Sequence, residues 1–94
     1  MSAAGLLTGL PVGKRKFLKK LLASPNNARF GDVRGLVEAF GFRLVRVSGS
    51  HHIFSHPAVA ELVNLQDVGG KAKAYQVRQF LGLVEKYNLT LGED

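Results

Sequence analysis

The chain has no cysteine. That excludes disulfides, thiolate nucleophiles and cysteine-held zinc or iron-sulfur sites, and it fits a reducing compartment, with the cytoplasm as the default. Acids are scarce: seven Asp and Glu stand against thirteen Lys and Arg, for a net charge of +6. Long apolar runs are missing too. The start, MSAAGLLTGLPVG, carries no basic residue ahead of its leucines and is broken by glycine, so residues 1–13 read as a flexible tail rather than a secretory leader or a membrane span. There is no internal repeat, and 94 residues leave no room for a second domain. The 46% of hydrophobic residues is enough for one core, and residues 14–91 read as that single domain.

What is present is lopsided. Up to Phe54 there are nine Lys and Arg against two acids, a balance of plus seven, whereas the remaining forty residues carry four basic and five acidic groups. The positive field therefore belongs to the first helices and the first strand. Such a footprint suits a phosphate-backbone binder, with anionic lipid or an acidic protein as the competing partners and a plain solvated face as the quiet reading of Lys14-Arg15-Lys16 and Lys19-Lys20.

The hydrophobic periods give an order of elements. Phe17, Leu18, Leu21 and Leu22 predict an amphipathic helix from Lys14 to Ala23, which Ser24-Pro25-Asn26-Asn27 ends. Val33, Leu36, Val37 and Phe40 predict a second helix, with Asp32 as its N-cap and Gly41 as its left-handed stop. After Gly41 the period changes to two. Phe42 to Val47 and His51 to Ser55 read as a hairpin around Ser48-Gly49-Ser50, and Leu62 to Leu65 as a third strand. Asp67 to Lys73 reads as a glycine-rich basic loop, and Tyr75 to Tyr87 as the last helix, from Val77, Phe80, Leu81 and Val84. The predicted class is α+β: a small three-stranded antiparallel sheet with helices packed on one face and the other face open.

The stretch Gly49-Ser50-His51-His52-Ile53-Phe54 carries the chemistry. An imidazole titrates near pH 6.5 unperturbed, so it can give or take a proton at neutral pH. Strand alternation puts His51 with Ile53 and Ser55 on one side, and His52 with Phe54 and His56 on the other. Each side has one good hydrophobe, and alternation alone leaves open which is covered. A metal site is disfavoured, because adjacent histidines point apart and no cysteine or carboxylate pattern completes a ligand set. Gly69-Gly70-Lys71 lacks the spacing of a nucleotide-binding loop and reads as a hinge with two phosphate contacts, Lys71 and Lys73. Tyr75, Phe80 and Tyr87 are expected to pack the last helix on the sheet.

These residues resemble a known family. The Gly41-Phe42-Arg43-Leu44-Val45-Arg46 lead-in, the Gly49-Ser50-His51 motif, the loop with Lys71 and Lys73 and the helix with Gln76 to Leu81 are similar to the HicA toxins of bacterial type II toxin-antitoxin systems, over about Asp32 to Leu91. The resemblance implies a double-stranded-RNA-binding-domain-like fold, here with an extra N-terminal helix. It also implies an endoribonuclease that cuts mRNA, needs no metal or other cofactor, arrests translation and is neutralised by a HicB-type antitoxin. It makes His51 the catalytic histidine. From the chemistry of RNA cleavage, Arg46 and Lys71 or Lys73 are the candidates for stabilising charge on the phosphorane, and Arg43, Arg46, Ser50, Lys71 and Lys73 are the expected RNA contacts. Where relatives carry Pro-x-His on the third strand, this chain has Val63-Asn64-Leu65-Gln66. The competing functions are a non-catalytic double-stranded-RNA-binding module and a protein-interaction domain.

Overall fold

The computed structural model describes residues 9–91. Its elements are α1 (Gly9–Ala23), α2 (Phe30–Ala39), β1 (Arg43–Ser48), β2 (His51–His56), β3 (Val59–Val68), β4 (Lys71–Ala72) and α3 (Ala74–Lys86). The strands form one antiparallel sheet in the order β1-β2-β3-β4. The class is α+β as expected, but the sheet has four strands rather than three.

The extra strand lies in the stretch read as a loop. Gly69 and Gly70 both have positive φ, 60° and 84°, the pattern of a type I′ hairpin turn. Asp67 Oδ1 closes it by accepting from the Gly70 amide at 2.8 Å. The expected hinge is therefore a hydrogen-bonded turn, which lets β3 run to Val68 and pair with Lys71 and Ala72.

Helix α1 starts at Gly9, so residues 9–13, read as tail, are helical; residues 1–8 of that expected tail lie outside the described residues. Helix α2 starts two residues before Asp32, with Arg29 rather than Asp32 at the N-cap. Asp32 instead lies in the first turn, where a negative charge complements the helix dipole. Gly41 follows the C-cap Phe40 with φ 98°, as its left-handed role required. A Cβ there would sit 3.0 Å from His56 Nε2.

The core lies between the helices and one sheet face. Val33, Leu36 and Val37 of α2, its C-cap Phe40, and Val77 and Phe80 of α3 are buried against Phe54, Val63 and Leu65 of the sheet. Phe80 meets Phe40 and Phe42 edge-on at centroid distances of 5.7 and 5.8 Å. Full burial of such side chains contributes roughly 1.5–3 kcal/mol each. From α1, Leu21 is buried and Phe17 and Leu18 pack beside it; Leu22, expected on the same face, is exposed. Among the described residues, no helix is long and apolar enough to cross a membrane.

Helix α3 is also tied to β3 by polar contacts. Lys86 Nζ donates to Glu61 Oε2 at 2.8 Å, and Tyr87 Oη donates to Glu61 Oε1 at 2.6 Å. These two bonds, the lysine's first, hold the Glu61 carboxyl down at about 2 instead of its ordinary 4.5. A depressed carboxylate stabilises the fold above its unfolded pKa and stops doing so as pH falls toward the folded value. Glu61→Gln should therefore lower Tm at neutral pH, with the gap from wild type closing as the pH drops from 4.5 to about 2; a gap constant over that range contradicts the assignment. Phe54→Ala should cost about 3–5 kcal/mol in urea unfolding.

Candidate nucleic-acid interface

Phe54 has no exposed surface, so the face of β2 that carries it is the covered one. His52 and His56 share that face. The His52 ring packs on Phe30 at 4.6 Å between centroids, and His56 packs on Phe42 at 5.0 Å. His56 Nδ1 also accepts from the Ala58 amide at 3.0 Å, holding the β2–β3 turn. Both are packing residues. His51, Ile53 and Ser55 point to the open face, and His51 is part-exposed there.

A tight turn presents His51. Ser48 pairs with His51 across a loop of Gly49 and Ser50, and Gly49 has φ 60°, which fits a type II′ turn with glycine first. The Ser50 carbonyl accepts from the Asp67 amide at 3.0 Å and lies 3.1 Å from His52 Nδ1. Ser50 thus fixes the bend through its backbone, while the residue itself is exposed beside His51.

Cross-strand partners share a face, so the register shows what surrounds His51. Its β3 partner is Gln66, and one row along Ile53 pairs with Asn64. The Asn64 side chain reaches His51: Oδ1 lies 3.2 Å from Nδ1. An amide oxygen can only accept, so Nδ1 carries the proton and Nε2 keeps its lone pair for a substrate. Gln66 is held in turn by Gln76, whose Oε1 accepts from the Gln66 amide at 2.7 Å and whose Nε2 donates to Gln66 Oε1 at 3.0 Å. Gln76 is the buried polar residue of α3, and it satisfies a β3 edge that the two-residue β4 is too short to cover.

The arginines of β1 reach this face through an irregularity. Arg43 and Arg46 are three residues apart, which in a regular strand puts them on opposite sides. The register shifts between Leu44 and Arg46, leaving Val45 as the extra residue of a β-bulge. Arg43 then pairs with Ser55 and Arg46 with Ile53, so both share the open face with His51. Arg46 is one row away; Arg43 is about 13 Å along the strand.

Lys71, on β4, pairs with Val68, two residues beyond Gln66 on the same face. Lys73 is the N-cap of α3, its Nζ 6.0 Å from the centroid of the Tyr75 ring. Tyr75 is 48% exposed rather than packed on the sheet; Phe80 is buried as expected, and Tyr87 is half-buried. Among the described residues the ion pairs are Arg34 with Glu38 and Lys86 with Glu61. Neither involves Arg43, Arg46, Lys71 or Lys73, so the open face carries uncompensated positive charge. No group of three or more His, Cys, Asp and Glu suited to a metal forms among the described residues.

Sequence reading missed Asn64. A lone asparagine in a strand gives no signal, and its place one row from His51 follows only from the pairing of β2 with β3.

The family model for the HicA toxin of bacterial toxin-antitoxin systems matches residues 31–83, more than half of the chain. Comparisons with curated proteins and with solved structures returned no match. The matched stretch contains β1 to β4 and therefore His51, Asn64 and the open-face cations.

The Asn64 contact makes a direct prediction. Nitrogen-detected NMR of the imidazoles should show neutral His51 mainly as the Nδ1–H tautomer, and Asn64→Ala should erase that bias. An Nε2–H majority in the wild type contradicts the assigned orientation.

Proposed function

The chain belongs to the HicA toxin family, and from that premise we propose that it is an endoribonuclease whose His51 shuttles a proton during cleavage of mRNA. The observation that carries this reading is the imidazole itself: its Nδ1 is engaged by Asn64, and the ring lies part-exposed on the open sheet face that Arg43 and Arg46 share.

Cleavage without a metal needs three things. The ribose 2′-hydroxyl loses its proton as its oxygen attacks phosphorus, the departing 5′-oxygen gains one, and donors stabilise the extra charge on the phosphorane. His51 Nε2 serves the first in this reading, as general base, or in its protonated form the second. Arg46, one row from His51, and Lys71 and Lys73 across β3 supply positive charge for the third. Arg43 and Ser50 contact the flanking backbone, Arg43 further along β1 and Ser50 beside the imidazole. Gln66 and Gln76 keep the floor of the site rigid.

A single strand suits this surface. The attacking oxygen, the phosphorus and the leaving oxygen must fall in line, and an unpaired chain can bend to that geometry. We read the α2-β1-β2-β3-α3 order as the double-stranded-RNA-binding-domain-like fold of the resemblance, acting in the cytoplasm to arrest translation. A HicB-type antitoxin neutralises the enzyme by covering the open face. A module that only binds RNA would use the same cations, and scission separates the two readings.

His51→Ala should lower the rate of RNA cutting by about 10²–10⁴, whereas His52→Ala should lower Tm through the lost Phe30 contact and leave cleavage in place. EDTA should not inhibit. Cleavage that survives in His51→Ala and disappears in His52→Ala contradicts the proposal; binding without any scission by the wild type favours the non-catalytic module.

A further inference from the structure

The sheet continues one step beyond its named strands. Arg29 forms an isolated antiparallel bridge with Lys71, supported by Phe30 N to Gly70 O and Ala72 N to Ala28 O, both 2.9 Å. Ala28 and Phe30 are buried. Alternation therefore turns the exposed Arg29 to the opposite face, beside Lys71 and on the side of the sheet that carries His51. By strand spacing, its Cα lies about 16 Å from that of His51.

The ground around Arg29 is open and polar. Arg29 and Lys71 line a shallow depression with Gly31, Gly69 and Gly70, and nothing lies within 4 Å of where a Cβ would stand on any of those glycines. A ligand backbone can approach closely there. The adjoining cleft, toward α1, places Lys20, Asn26, Asn27 and Arg29 around an apolar floor that includes Phe17 and Leu21. Asp32 borders both, and among the described residues it pairs with neither cation. Lys20 and Arg29 precede residue 31, where the family match begins.

We infer that an RNA strand cut at His51 runs across the sheet, over Lys71 and Arg29 and past Lys20, so that the α1 segment supplies a second phosphate-binding patch. The inference rests on the nuclease reading. In the depression at Arg29 and Lys71 the cations stand over glycines with no large apolar side chain beside them, which suits phosphates better than a protein surface, which needs a desolvated apolar core.

The test uses the full chain carrying His51→Ala, so that bound RNA stays intact, and fluorescence anisotropy with an end-labelled single-stranded RNA of mixed sequence. Adding Lys20→Gln and Arg29→Gln should weaken binding several-fold and flatten the plot of log affinity against log salt by about 0.7 per lost phosphate contact. Arg78→Gln, which removes an exposed charge from α3 on the covered side, should change neither. Circular dichroism checks that each variant is folded. If wild type cuts RNA while the Lys20→Gln, Arg29→Gln chain keeps the parent affinity and slope, the second patch is refuted alone, and the cluster is assigned to an acidic protein. A wild type that leaves RNA uncut refutes the nuclease reading and this inference with it.

Discussion

Phe54 sits under the helices with no surface left to solvent, and because side chains alternate along a strand, that burial decides where the rest of β2 points. A slip of one residue would carry Phe54 into water and His51 into the core, exchanging a large apolar gain for a desolvated imidazole. The packing of one phenylalanine thus keeps one histidine on the open face. His52 and His56 lie on the other face against Phe30 and Phe42, so three histidines in six residues divide into one that fronts the open sheet and two that pack on the fold.

The open face is cationic for local reasons of backbone geometry. The β-bulge at Val45 brings Arg43 and Arg46 to one side, and the Gly69-Gly70 turn folds Lys71 back along β3. Arg29 comes alongside through a single bridge. Each device uses little sequence. Together they collect charge from three separate stretches onto the face that carries one imidazole.

Much of this was legible in the residues. Helices α2 and α3 followed from apolar positions at i, i+3, i+4 and i+7, and the β1–β2 hairpin from a change of period around Ser48-Gly49-Ser50. Strand β4 was not legible, because Lys71-Ala72 is too short to show alternation and Gly69-Gly70 looks the same in a hinge as in a tight turn. Gly9-Leu10-Pro11-Val12-Gly13 has poor helix propensity, which hid the start of α1. The covered face of the sheet was undecidable, since Ile53 and Phe54 are both apolar, and only the packing of α2 and α3 separates them. His51 was singled out by its motif. Asn64 could not be: its role depends on the pairing of β2 with β3, which places it one row from the imidazole.

The central claim is that His51 moves a proton to or from a ribose-phosphate linkage, and the chemistry of the cut ends reads this most directly. Digestion of a defined RNA by the purified chain, followed by mass spectrometry of the fragments, should show 2′,3′-cyclic phosphates and 5′-hydroxyls, the products of attack by the internal 2′-oxygen. Fragments ending in 3′-hydroxyl and 5′-phosphate would contradict the account, because they require water to attack the phosphorus and leave the 2′-oxygen no part in the reaction.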